Sequence, residues 1–238
     1  MKKILLVGAL AALFCLLCSC KEPLETETYA PVTDTPIVIP PTDVNKEKAY
    51  LNNGVEYIID SELSCHISGV GAFNGTELII PETDPFGRVI SYINDYVFKD
   101  CKNIKNVSLP SKMKEIHGGA FQGCTGIEEL ILPEGLVKIE TFAFYECTSL
   151  KTVTIPKEVS YIGQNAFAKC SSVDEYKVDE ESDYFKSIDG VIYDKDVKTL
   201  LIYPIGNRQT SYKVQEGVTK IYNSSFEECK YLETVTMA

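Results

Sequence analysis

Six cysteines and two histidines are the side chains of this sequence whose chemistry could be catalytic or metal-binding. Beyond the first twenty residues they are Cys65, Cys101, Cys124, Cys147, Cys170 and Cys229, with His66 and His117. A thiol close to a histidine can act as a nucleophile, paired thiols can form disulfides, and clustered thiols and imidazoles can bind zinc. The spacing of these residues decides between such roles.

The cysteines recur at one position of a repeat. Four phenylalanines and four cysteines are each spaced by 23 residues, namely Phe98, Phe121, Phe144 and Phe167, with Cys101, Cys124, Cys147 and Cys170. A cysteine that returns at the same position of successive repeats behaves like a small buried side chain in a packed ladder. We therefore favour free buried thiols, while disulfides between neighbouring repeats and a metal site remain the alternatives. We expect no catalytic residues, no metal and no other cofactor.

A fixed period in this range is typical of a solenoid, in which each repeat buries its apolar face against its neighbours. Each repeat holds an isoleucine, the phenylalanine, the cysteine and then an aliphatic triplet such as Leu130-Ile131-Leu132. The triplet predicts a short parallel strand on the concave face, and the phenylalanine and cysteine are expected on the convex wall in a turn or a single helical turn. The expected fold class is thus an α/β solenoid with an N-terminal β cap and a β-hairpin insertion.

The repeat has a family resemblance. The pattern Ile-x-x-x-Ala-Phe-x-x-Cys-x-x-Leu-x-x-Val-x-Ile-Pro, read from Ile139 to Pro156, resembles the BspA-like leucine-rich repeats, and the likeness covers most of residues 50–238. The resemblance implies a solenoid with its strands on one face, secretion or surface display, and adhesion or protein binding. It implies no catalytic residues.

The alternation of each triplet identifies candidate binding residues. Alternate side chains of a strand point to opposite faces, so every second residue should be exposed on the concave face of the solenoid. These residues are Asn106, Ser108, Glu129, Ile131, Thr152, Thr154, Glu175 and Lys177, with Thr234 and Thr236 in the last repeat. Their polar and partly acidic character suits an extracellular protein or glycan partner.

The N-terminus predicts export and a lipid anchor. Residues 1–19 hold a basic start and an apolar run that ends at Leu17, followed by Cys18-Ser19-Cys20, which resembles a bacterial lipobox with Cys20 as the lipid-bearing residue. An ordinary secretory leader is the alternative. Residues 20–48 read as the lipidated cysteine and a disordered tether. Lys21 favours the outer membrane by resemblance to the sorting rule of enteric lipoproteins, which indicates a Gram-negative bacterium.

The remaining boundaries follow from the breaks in the period. Residues 49–92 should form the cap unit, with Val55–Ile59 and Cys65–Val70 as a hairpin, and residues 93–178 the regular repeats. Residues 179–214 should form the insertion, with strands on either side of residues 194–196. Residues 215–238 are then a last repeat without a cap, which suggests a truncated chain or pairing through this edge.

The charge and the repeats together define the function class. The net charge of −11 disfavours nucleic acid as a partner, because it repels the phosphate backbone. We expect a cell-surface lipoprotein that is held on the membrane by its N-terminal lipid and presents its repeats for adhesion or binding. The alternative is a non-catalytic envelope scaffold or spacer that faces the periplasm.

Overall fold

The computed structural model describes residues 48–238, and the N-terminal segment that holds Cys20 lies outside this range. Each regular repeat forms one coil with two short strands and a turn. In chain order the strands are β1 (Lys48–Tyr50), β2 (Glu56–Ile59), β3 (Ser64–Gly69), β4 (Glu77–Ile79), β5 (Val89–Ile93), β6 (Asn106–Ser108), β7 (Glu115–Ile116), β8 (Glu129–Ile131) and β9 (Lys138–Ile139). They continue as β10 (Thr152–Ile155), β11 (Tyr161–Ile162), β12 (Glu175–Val178), β13 (Phe185–Ile188), β14 (Val191–Asp194), β15 (Thr199–Ile202), β16 (Ser211–Lys213), β17 (Lys220–Ile221) and β18 (Thr234–Thr236). Residues 48–238 contain no helix, and therefore none that could span a membrane.

Two strand ladders run along the solenoid. The first sheet has the order β1-β2-β3-β5-β7-β9-β11, and its strands from β3 onward are parallel. The second ladder contains the aliphatic triplets, with β4, β6 and β8 in one parallel sheet and β10 and β12 in another. The sequence predicted the triplet strands. It did not predict β7, β9 and β11, because two residues are too few to show an alternation.

The turn between the two ladders carries the phenylalanine stack. The rings of neighbouring coils are near parallel, with centroids 5.1 Å apart for Phe98 and Phe121, 5.3 Å for Phe121 and Phe144, and 5.2 Å for Phe144 and Phe167. All four rings are buried. The burial predicted from the period is therefore confirmed, and the stack forms the axis of the main core.

The helical part of the expected α/β class is not found in residues 48–238. Each turn of a regular coil contains two residues with a positive φ angle, four positions apart, as at Phe142 (φ 60°) and Glu146 (φ 61°). The N–H groups of alternate turn residues donate to the next coil, for example Phe144 N–H to the carbonyl of Ala166 (2.8 Å). A helical turn would direct these groups along its own axis instead, so the bonding between coils excludes it.

Antiparallel strands interrupt the parallel ladders at two places. Near the N-terminus β2 pairs with β3, as the pattern of Val55–Ile59 and Cys65–Val70 predicts. In the insertion β14 pairs with β15 on either side of residues 195–198, also as predicted, and β13 adds a further antiparallel strand that the sequence did not reveal. The insertion strands β15 and β16 pair in parallel with β17 and β18 of the last repeat.

Candidate functional site

The outward side chains of β4, β6, β8, β10 and β12 form one surface, here named the ladder face. Hydrogen-bonded register aligns Ile79, Ser108 and Ile131 across β4, β6 and β8, and aligns Glu77, Asn106 and Glu129 beside them. The same register pairs Thr152 with Glu175 and Thr154 with Lys177 in β10 and β12. All eight candidate binding residues of β6 to β12 therefore lie on the ladder face, and all are exposed except the half-buried Glu175.

A shallow hollow of about 170 Å³ lies on the ladder face over β4, β6 and β8. Its sides are Ile79 and Ile131, which are 58% and 73% exposed, with the small Ser108 between them. Exposed aliphatic side chains of this size lose contact with water when a partner covers them, so they favour binding. The carboxylates of Glu77 and Glu129 lie beside the hollow and give it an acidic rim.

An open polar cleft of about 910 Å³ lies where the ladder face meets the insertion. Thr152 and Glu175 are its lining residues from the predicted set. The lining residues that sequence reasoning missed include Asp174, Asp189, Asn207, Arg208 and Tyr231. They come from four separate stretches of chain, and only the folding of the insertion and the last repeat against residues 171–175 brings them together.

Two glycines allow the insertion to approach that coil. Gly190 (φ 78°) accepts a hydrogen bond at its carbonyl from Tyr176 N–H (2.9 Å), and a Cβ atom there would lie 3.0 Å from Cβ of Glu175. Gly206 N–H donates to the carbonyl of Val173 (2.8 Å), and a Cβ atom at this glycine would lie 2.6 Å from the same oxygen. Larger residues at either position would push the wall of the cleft away from the ladder face.

The lining of the cleft suits a ligand with many hydroxyl groups. Asp174 and Asp189 can accept hydrogen bonds from ligand hydroxyls, and the Arg208 guanidinium can donate hydrogen bonds to them. The Tyr231 side chain is 46% exposed and offers an apolar ring face with a polar tip. Such a combination fits a glycan or a polar peptide surface.

Both histidines of the chain lie on the first sheet, in a ring column with Tyr92. The ring centroids of His66 and Tyr92 are 4.4 Å apart and those of Tyr92 and His117 are 4.6 Å apart, with near-parallel planes. Asp60 Oδ1 lies 2.7 Å from His66 Nδ1 and accepts a bond from the Tyr92 hydroxyl (3.3 Å). Sequence reasoning missed the column because its members are not spaced by the 23-residue period.

The end of this column holds a cluster of possible metal ligands. Glu115, His117 and Glu140 each offer a ligand atom within 4.8 Å of the others. Lys138 Nζ lies 2.5 Å from Glu140 Oε1 and 4.0 Å from Glu115 Oε2. An ammonium group therefore already compensates the two carboxylates.

The cysteines are free thiols in residues 48–238, as favoured from their spacing. Cys124, Cys147 and Cys170 each donate Sγ–H to the carbonyl of the phenylalanine one coil earlier, at 2.9, 3.3 and 3.2 Å. Burial raises the pKa of the Cys65 thiol to about 12, and it raises the pKa of Cys147 well above its ordinary value. Cys65 therefore stays protonated beside His66 in the chain, which argues against nucleophilic catalysis by this pair.

The last strand is exposed along its whole length. All three residues of β18 are exposed, including the candidates Thr234 and Thr236. They lie outside the two depressions of the ladder face. The pairing expected through this edge stays a prediction.

Comparison with known proteins identifies the repeat. A family model described as "BspA type Leucine rich repeat region" matches six copies over residues 90–195 and 206–238. No curated protein matches the sequence.

Solved structures show the same fold. The pneumococcal vaccine antigen PcpA is 19% identical with a TM-score of 0.65, over 81% of this chain and 64% of its own. A leucine-rich repeat protein from Bacteroides ovatus is 23% identical with a TM-score of 0.55, over 78% of this chain and 52% of its own. One from Eubacterium ventriosum is 18% identical with a TM-score of 0.56, over 80% of this chain and 59% of its own. The chain thus spans less than two thirds of each of these relatives.

Proposed function

Because the chain belongs to the BspA-type leucine-rich repeat family, we propose that it is a cell-surface binding protein whose ladder face docks a glycan or a protein. The observation that carries this proposal is that one exposed face holds both an apolar hollow and a polar cleft. The raised pKa values of the buried Cys65 and Cys147 thiols support a role in which these cysteines are not nucleophiles.

The polar cleft is the part that favours a glycan. Sugar hydroxyls would donate to Asp174 and Asp189 and accept from Arg208, while the ring of Tyr231 packs against the apolar face of a pyranose. The hollow between Ile79 and Ile131 would take an apolar group of the same ligand or a side chain of a protein partner. Glu77 and Glu129 on its rim disfavour an anionic partner through like-charge repulsion.

Binding of the mature chain to a glycan array and to immobilised host matrix proteins tests the proposal. We expect Ile131→Asp or Arg208→Ala to weaken the strongest signal at least tenfold. Val137→Asp is the matched control for the first variant, because Val137 is 37% exposed in the coil that follows and lies outside the hollow and the cleft. Unchanged binding by both variants would contradict the role of the ladder face.

A scaffold without a ligand is the alternative. The outward threonines and the exposed Lys177–Glu175 ion pair (2.8 Å) are also what a merely solvated surface would show. A well-folded chain that binds nothing on either array would favour this alternative.

We also propose that Cys20 carries the lipid that holds the chain on the outer membrane, with residues 21–47 as the tether. The lipobox-like Leu17-Cys18-Ser19-Cys20 supports this anchor. Cys20→Ala should release the chain from the membrane fraction, whereas Cys18→Ala should not. Protease treatment of intact cells should remove residues 48–238 if they face outward, and full protection would favour the periplasmic scaffold.

A further inference from the structure

A cavity of about 240 Å³ separates the coil of residues 159–178 from the last coil, residues 218–237. Phe167, Phe185, Leu201, Tyr203 and Tyr222 line it and make it apolar. A smaller engineered cavity of about 150 Å³ binds benzene, so this volume accepts an aromatic side chain. The cavity lies away from the ladder face and shares no lining residue with its hollow or cleft.

The cavity exists because the insertion supplies strands without a complete turn. Residues 163–174 link β11 to β12, whereas the shorter stretch 203–210 links β15 to β16. This stretch lacks the Phe-x-x-Cys turn of the regular coils. The phenylalanine stack ends at Phe167, whose next ring neighbour is the tilted Tyr176 at 5.8 Å.

The strand ladder is interrupted at the same place. Strand β11 is the last of the first sheet, and no Cα atom of β11 lies within 8 Å of one in β15. The edge of β11 that faces away from β9 therefore has no strand partner among residues 48–238, whereas both edges of β15 are paired, with β14 and β17.

One wall of the cavity has unused backbone donors. In the regular stack the N–H groups of Phe142, Phe144 and Glu146 donate to the next coil. Asn165, Phe167 and Lys169 hold the same positions one period later, and within residues 48–238 their N–H groups have no hydrogen-bond partner. Most backbone donors of a folded protein are paired with the protein or with water, so an open row of three beside a cavity is unusual.

The opposite wall has unused acceptors. Asn223 and Glu227 occupy the positions of Gln164 and Ala168, whose carbonyls accept bonds from the preceding coil. No donor in the described residues reaches the carbonyls of Asn223 or Glu227, whereas the Ser225 carbonyl between them accepts from Tyr203 N–H (3.2 Å). The buried hydroxyl of Tyr203, a lining residue, is also without a partner among the described residues. A segment whose carbonyls accept from the open donor row, with an aromatic side chain between Phe167 and Tyr203, fills the cavity.

We propose that this cavity is a second binding site, which takes an extended peptide segment of a partner protein with an aromatic side chain. The segment stands in for the missing turn. Its carbonyls accept from Asn165, Phe167 and Lys169, and its aromatic side chain packs between Phe167 and Tyr203. Main-chain bonds of this kind supply affinity, and the pocket for the side chain supplies selectivity.

A synthetic peptide with the sequence of residues 141–147, with serine in place of its cysteine, is a direct probe. In the chain the carbonyls of Thr141, Ala143 and Tyr145 accept the N–H groups of the preceding coil, which is the bonding that the cavity lacks. We expect saturable NMR shifts and slowed hydrogen exchange at the amides of Asn165, Phe167 and Lys169 in the mature chain. The same peptide with alanine at the position of Phe144 should bind at least tenfold more weakly.

Three substitutions distinguish peptide binding in the cavity from nonspecific binding elsewhere on the chain. Ala168→Trp fills the cavity from its lining and should abolish the shifts, and Glu227→Trp should do the same from the opposite wall. Gln122→Trp is the matched control, because it places the same ring at the equivalent position of an inner coil. Circular dichroism checks that each variant is folded.

Three results would overturn the proposal. The first is the absence of saturable shifts at these amides with the peptide at millimolar concentration. The second is binding that persists in both filled variants. The third is slow exchange of the three amides before any peptide is added, which would show that this chain or a second copy already fills the cavity.

Discussion

Phe144→Ala tests whether the stacked rings hold the coils together. Phe144 is fully buried, and its ring lies between Phe121 (5.3 Å) and Phe167 (5.2 Å) with nearly parallel planes. Removing the ring deletes apolar contacts with both neighbouring coils at once. Because the surrounding backbone is bonded from coil to coil, it cannot close the space that the ring leaves.

The expected loss in the free energy of unfolding is about 3–5 kcal/mol. This range holds for a buried phenylalanine that is truncated to alanine in a core that relaxes only partly. The upper half is expected here, since each of the two ring pairs contributes about 0.5–1.5 kcal/mol beyond simple burial. Phe142→Ala is the matched control: Phe142 is half-buried in the same turn and has one edge contact, with Tyr145 (5.3 Å). It should cost about 1 kcal/mol, a value typical of partly exposed positions.

Urea denaturation followed by circular dichroism measures both variants. The midpoint for Phe144→Ala should fall well below that of the unchanged chain, and the transition should broaden as the coils on either side lose their coupling. If Phe144→Ala and Phe142→Ala differ by less than about 1 kcal/mol, the phenylalanine stack is not what stabilises the solenoid.

Three further predictions concern buried groups and the backbone. Burial raises the pKa of Cys124 and of Cys170 to about 12, so each thiol stays protonated in the folded chain when the unfolded chain begins to lose its proton near pH 9. The contribution of these two thiols to stability should therefore be constant below about pH 8 and should fall by about 1 kcal/mol per pH unit and thiol above about pH 9. Urea midpoints that stay unchanged from about pH 8 to about pH 11 would contradict this. Arg88→Met should cost about 3–5 kcal/mol, because the fully buried Asp84 carboxylate loses its only charged partner among the described residues, at 2.9 Å, and is left with backbone N–H donors. Asp84→Asn in the same background should recover part of the loss, and calorimetry that finds no such recovery would refute the charge argument. Gly119→Ala should lower the melting temperature, because Gly119 has φ 60° and a Cβ atom there would lie 2.3 Å from Cε1 of Tyr96. Tyr96→Ala added to this variant should restore part of the lost melting temperature. Equal losses with and without Tyr96 would assign the effect to the backbone alone.

The sequence predicted what repeats every 23 residues. The burial of Phe144 and Cys147 and the outward position of Ser108 and Ile131 follow from the period and the alternation alone, and the structure agrees. These features depend only on a residue's place within its own repeat and on contacts with identical neighbours.

Features that break the period could not be predicted in this way. The cleft depends on how the insertion returns to the ladder, which brings the Asn207 side chain within 3.4 Å of the Asp174 carbonyl across 33 residues. The ring column needs a shift of register between Cys65 and Ile67, which aligns His66 with Tyr92 although 26 residues separate them. Neither the path of a loop nor an irregular register leaves a periodic trace in the sequence.

The direction of the bonds between coils has a mechanical consequence. Bonds such as Phe121 N–H to the carbonyl of Ala143 (2.8 Å) join successive coils and therefore run along the stack. A force that pulls the two ends of the stack apart acts along these bonds, so the coils separate one after another rather than all at once. Each coil of 23 residues that yields would release up to about 80 Å of extended chain. A load along the stack would therefore lengthen the protein stepwise, coil by coil, before the whole fold is lost.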